Sequence, residues 1–106
     1  MEITPKSLSR EIQRSREQEQ MTERLGLLAM ALARRYMHGR QWQGYSVSTR
    51  EDIVSAFLVR LVRGWQRVDP AGNPFSYLTA MVRSAAVDHI RHENRRTARE
   101  TKSAGA

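Results

Sequence analysis

Apolar residues recur along this chain in blocks, and each block keeps the spacing of a helix. In the first, Met21, Leu25, Leu28, Leu32 and Tyr36 stand three or four residues apart, so they share one helix face. Gly39 and Gly44 end that pattern and mark a loop, "GRQWQGYSVST". Ser48 followed by Glu51 is a capping-box pattern, which predicts a second helix starting there and running to about Gln66. Ile53, Val54, Phe57, Leu58, Leu61 and Trp65 form its core face, with Gly64 near its end. The stretch "VDPAGNP" reads as a turn. Pro70 fixes one backbone angle, Gly72 frees another, and Asn73 is placed to cap a third helix with Pro74 in its first turn. That helix is expected from about Pro74 to the low or middle nineties, with Phe75, Leu78, Met81, Val82, Ala85, Ala86 and His89 on its inner side.

The ends of the chain look different. Residues 1–20 are polar with charges of both signs. Thr4-Pro5 is a plausible helix start, but Leu8 and Ile12 do not continue the stripe that follows, so this segment is expected to be an arm that orders on a partner. The tail, "RRTARETKSAGA", lacks large apolar side chains and is expected to fray. With no strand pattern and no repeat, the expected fold is all-α: a small three-helix bundle with a polar N-terminal arm that can itself be helical. The division is an arm over 1–20, a helical domain over 21–96 and a basic tail over 97–106.

Charge adds a function class. The 106 residues carry 18 Lys+Arg against 11 Asp+Glu, a formal net charge of +7. Lys6 and Lys102 are the only lysines, and arginine suits phosphate because its planar fork donates two parallel hydrogen bonds. The balance points to nucleic acid or an acidic protein surface, with a merely solubilising surface as the plain alternative. There is no cysteine, which excludes a disulfide scaffold and thiolate metal sites and fits a reducing compartment. No apolar run approaches the roughly 20 residues of a membrane span, and the first residues lack the apolar core of a signal peptide. A soluble, cytoplasmic protein without membrane partner or cofactor is expected.

Two helix faces turn away from the core stripes. At about 100° per residue, Asp52, Ser55, Val59 and Val62 share one of them. An exposed valine between small and acidic residues suits a protein contact, although single surface valines are common. On the third helix Ser76, Ala80, Arg83, Ser84, Val87 and Arg91 fall outside, bordered by Tyr77 and followed by Arg95, Arg96 and Arg99. Small side chains let a ligand backbone approach, Arg83 and Arg91 can reach two phosphates of one strand, and an aromatic face stacks on unpaired bases. The competing reading is a solvated helix end, where positive charge is favoured by the macrodipole, and a partly buried Tyr77.

The order "LGLLAMALARRY", then "TREDIVSAFLVRLVRGWQRVDP", then "NPFSYLTAMVRSAAVDHIR" resembles region two of bacterial RNA polymerase sigma factors over roughly Met21 to Arg96. The turn plus "NPFSYLT" is most similar to the short late sigma factors of tailed bacteriophages. The resemblance implies a minimal transcription initiation factor acting in a bacterial cytoplasm. The second helix would dock on the clamp coiled coil of the largest subunit of core RNA polymerase, through Asp52, Ser55, Val59 and Val62. The third would hold the non-template strand of the promoter minus-ten region. Phe75, Tyr77 and Arg83 match the family's melting segment, Asp88, Arg91 and His92 match the segment that reads upstream duplex or junction bases, and Arg95 and Arg96 extend the basic end. The sequence also departs from the family. Ser55-Ala56 stands where a glutamine-glutamate pair is usual, and Met81-Val82 where primary sigma factors place two tryptophans. With no second DNA-binding domain after region two, minus-thirty-five recognition is expected to be absent and a co-activator protein to be needed.

Two other classes remain. "HIRHENRR" superficially resembles a His-Asn nuclease motif, but His89, His92 and Asn94 lie on one helical run, and no third ligand accompanies His89-x-x-His92. No catalytic or metal residue is therefore assigned, and His89 is expected at the core edge. The stronger alternative is a phage regulator that uses a sigma-like face to bind polymerase or DNA and inhibit or redirect transcription.

Overall fold

In the computed structural model the backbone of residues 3–104 and the side chains of residues 3–96 are described. Four α-helices follow one another: α1 (Pro5–Glu17), α2 (Glu23–Met37), α3 (Val47–Gly64) and α4 (Pro74–Ala104). Single 3-10 turns, Arg40–Trp42 and Trp65–Arg67, sit after α2 and α3, and no strand occurs among the described residues. Helix α3 packs on α2 and α4, and α1 packs on α2 and α4. The all-α architecture is as expected, with one more helix in the body.

The apolar stripes account for the core. Leu25, Leu28 and Leu32 of α2, Ile53, Val54, Phe57 and Leu61 of α3, and Leu78, Val82, Ala85 and Ala86 of α4 are all buried, with Trp65 and Val68 closing one end. Met21, Tyr36, Leu58, Phe75, Met81 and Ile90 pack against them, half-buried. Trp42 anchors the α2–α3 loop between Tyr36 and Tyr45, with ring centroids 6.0 and 5.9 Å away.

The polar first segment is where structure and expectation part. Its Leu8 and Ile12 are 0% and 1% exposed, so α1 belongs to the core rather than projecting from it. Two apolar side chains one turn apart suffice because the polar residues beside them find partners. The Thr22 hydroxyl accepts from the Leu25 N–H at 3.1 Å and from the Ser15 hydroxyl at 3.3 Å, and donates to Glu11 Oε1 at 2.7 Å. That is one donor and two acceptors, the full capacity of a hydroxyl. The enclosed Glu11 carboxylate also has Arg14 and Arg24 at 3.9 Å, as a buried charge requires. Burying Leu8 and Ile12 contributes about 1.5–3 kcal/mol each.

Helix ends follow local chemistry. Thr4 and Ser7 form the capping box that opens α1, with Pro5 at its first position. Its other end is a Schellman motif, in which Gln20 N–H donates to Ser15 C=O and Glu19 N–H to Arg16 C=O. Glu19 takes the left-handed conformation there (φ 56°), a place usually given to glycine. Helix α3 begins two residues before the expected box: Ser46, not Ser48, accepts from the Thr49 N–H at 3.1 Å. The turn into α4 forms where the sequence suggests, although Gly72 does not take the positive φ that only glycine readily adopts. Asp69 Oδ1 accepts from Ala71 N–H, and Asn73 Oδ1 caps the Ser76 N–H at 3.1 Å. Helix α4 continues past the nineties to Ala104, so it is longer than its apolar stripe. The side chains of 97–104 and all of 105–106, including Arg99 and the fraying expected of the tail, lie outside what is described.

Candidate functional site

Two outer faces on adjacent helices stand apart from the core. On α3, Asp52, Ser55, Val59 and Val62 are all exposed, Val59 by 50% and Val62 by 61%. Val47, at 67%, is also exposed, but at about 100° per residue it lies about 120° round from Val59, where it lines a hollow with Arg34 and Met37 of α2. Val59 and Val62 are two of the five large hydrophobics exposed among the described residues. The face from Asp52 to Val62 is about 15 Å long at 1.5 Å per residue. The Ser46 cap extends the helix to include Val47. Ala56, beside Ser55, is half-buried.

On α4, Ser76, Ala80, Arg83, Ser84 and Arg91 are exposed as expected, and Val87 is half-buried. Tyr77 is 45% exposed at the border, its N–H held by Asn73 C=O at 3.0 Å. His92, Arg95 and Arg96 are exposed beyond them. Arg83, Arg91 and Arg95 make no ion pair among the described residues, whereas Arg14, Arg24, Arg34 and Arg60 each hold a carboxylate. The α4 face therefore keeps cationic donors uncommitted, the requirement for phosphate binding.

Phe75 does not join Tyr77. Two residues apart on a helix they point about 160° apart. Phe75 turns inward to a groove of about 190 Å³ that it lines with Leu32, Tyr36 and Thr79. Asp88 is engaged within the protein: Arg60 of α3 donates to its carboxylate at 2.7 Å and to the Ser84 hydroxyl at 3.3 Å. Arg60 was not singled out in the sequence, since only the antiparallel packing of α3 on α4 brings it to residues 24 and 28 positions away. His89 is half-buried at the core edge. No group of three or more histidine, aspartate or glutamate side chains among the described residues could hold a metal ion. None of the described helices is long and apolar enough to cross a membrane.

The family model described as Sigma-70 region 2 matches residues 21–96, a span that holds both outer faces and leaves out α1. None of the curated proteins and none of the solved structures compared matches the chain.

Proposed function

The chain belongs to the sigma-70 region 2 family, and from that premise we propose that it is a minimal sigma-like initiation factor for a bacterial RNA polymerase. Sigma-70 region 2 is a transcription-factor domain that serves RNA polymerase binding and promoter recognition. In this reading the valine stripe of α3 docks on the clamp coiled coil of the largest subunit, with Asp52 and Ser55 beside it. The α4 face holds the non-template strand of the minus-ten region. Tyr77 stacks on an unpaired base, Arg83 takes phosphates near it, and Arg91, His92, Arg95 and Arg96 meet the upstream junction. Capture of the single strand, and no covalent chemistry, shifts the promoter toward the open state. The observation that carries this reading is the juxtaposition on neighbouring helices of the exposed Val59 and Val62 and of an aromatic-arginine face whose Arg83, Arg91 and Arg95 make no ion pair among the described residues.

The "NPFSYLT" segment favours a late factor of a tailed bacteriophage, acting in its host's cytoplasm with a co-activator protein. Met81 and Val82 bear on how it opens DNA. Val82 is fully buried and Met81 partly so, so neither position offers an aromatic wedge. The same observation favours a second reading, a regulator that occupies the polymerase with a sigma-like face and blocks or redirects initiation. Run-off transcription with host core polymerase separates them. Specific transcripts from a promoter, alone or with candidate co-activators, are expected. Binding to core without initiation under every condition, together with loss of transcription by the host's own factor, would establish the regulator instead.

A further inference from the structure

Between the C-terminal turn of α2 and the first turns of α3 lies a hollow of about 90 Å³ that neither outer face uses. Its floor is Met37 and Val54, both buried, and at its rim stands the exposed Val47. Arg34, His38, Arg50 and Glu51 complete the lining. Glu51 is already paired with Arg34, at 3.3 Å. Arg50 has no such partner. It makes no ion pair among the described residues, and its Nε is buried without a hydrogen bond. A buried donor left unsatisfied costs stability until it meets an acceptor, and a guanidinium edge takes a carboxylate through two parallel N–H bonds. What the hollow lacks is therefore an anionic acceptor beside an apolar group.

We propose that this hollow docks an acidic segment of a partner protein, in which an aspartate or glutamate stands beside an aliphatic residue. The carboxylate takes the Arg50 fork, and the aliphatic side chain covers Val47 toward Met37 and Val54. Charge complementarity selects the anion, since Arg50 is the arginine of the lining that holds no carboxylate. The apolar floor selects protein over nucleic acid, because a sugar-phosphate backbone gains nothing from Met37, Val54 and an uncovered Val47. The position suits a third partner. At about 100° per residue Arg50 stands on the side of α3 opposite Val59, and no α4 residue is among those lining the hollow. A polymerase seated on Val59 and Val62 and a strand held at Tyr77 would both leave it open. The partner is the co-activator protein of the reading above, and the inference rests on that reading for this identity alone.

The test follows the full chain, with methyl-labelled methionine and valine, by NMR. The probes are short synthetic peptides with leucine beside aspartate or glutamate, the same peptides with asparagine or glutamine instead, and inorganic phosphate. The acidic peptides should shift the methyl signals of Met37, Val47 and Val54 and reach saturation. Their amide counterparts should bind roughly tenfold more weakly, as loss of a charge-assisted hydrogen bond requires. R50Q should show the same drop. V47E, a change at an exposed position that spares the core, should abolish the shifts. Both variants should co-purify with core polymerase like the wild type. Absence of shifts, equal binding of acidic and amide peptides, or full binding by R50Q overturns the proposal. Equal shifts with phosphate would make the hollow a nucleic-acid backbone site, and loss of core binding by either variant would give it to the polymerase, and each of these overturns it as well. The initiation reading fails separately, when the wild-type chain yields no promoter-specific transcripts under any condition.

Discussion

Replacing Leu8 by alanine asks whether α1 is an arm or part of the core. Leu8 is completely enclosed, and its partners come from the rest of the bundle. Truncating such a side chain removes its transfer free energy and leaves a cavity, at a combined cost of about 2–5 kcal/mol. A domain of this size has roughly 5–15 kcal/mol of net stability, so the variant gives up a large share of it. At about 4–8 °C per kcal/mol, the thermal midpoint should fall by at least about 8 °C. Urea unfolding of the isolated chain, followed by circular dichroism, should show a lower midpoint with an unchanged slope. Lys6→Ala, on the exposed side of α1, should stay within about 0.5 kcal/mol of the wild type. An arm that orders only on its partner predicts a different result. Leu8→Ala would then unfold like the wild type in isolation, and that outcome would refute the assignment of α1 to the core.

The other expectations concern the two outer faces. D52R/V59D should abolish co-purification with core polymerase while the helical signal and unfolding midpoint remain, because both side chains are exposed; unchanged co-purification counts against the α3 face. Tyr77→Ala or Arg83→Ala should spare polymerase binding and reduce permanganate reactivity of promoter thymines, whereas full reactivity would remove α4's outer face from strand capture. A double-mutant cycle on Arg60 and Asp88 should give a coupling of only about 0.2–1 kcal/mol, because both side chains are more than a third exposed and water screens them. A coupling well above that range would mean the bridge is more shielded than its exposure indicates.

Much of the fold can be read from spacing alone, since Leu25, Leu28 and Leu32, Ile53, Phe57 and Leu61, and Leu78, Val82 and Ala85 each repeat at three or four residues and are buried. The turn from Asp69 to Asn73 was equally legible because Asp69, Pro70 and Asn73 each have a narrow set of backbone roles. Helix α1 was harder. Half of its inward face is Glu11 and Ser15, which look like surface residues until Thr22 and Arg24 are seen to satisfy them. Its end was hidden because a glutamate occupies the left-handed position where glycine would announce a stop. At α3 two serines competed for one cap, and only hydrogen-bond geometry favours Ser46. The same holds for the candidate site. Helical angles gave the exposed sets on α3 and α4 and the inward side of Phe75, but not the exposure of Val47 or the capture of Asp88 by Arg60, which depend on the exact helix start and on inter-helix packing.

The contact between α3 and α4 has a consequence for how any ligand is met. The two helices share a core and are linked at the surface through Arg60, so their outer faces keep a set separation before either is occupied. Ordering them relative to one another is completed when the chain folds, and association loses correspondingly little conformational freedom. The proposed protein contact at Val59 and Val62 and the proposed strand contact at Tyr77 would then be two jaws of one caliper. The nucleic acid is the compliant member, since single strands and unstacked steps deform for a few kcal/mol while a packed core does not. The gap in the protein, and not the resting shape of the promoter, would dictate where along the DNA the strands part.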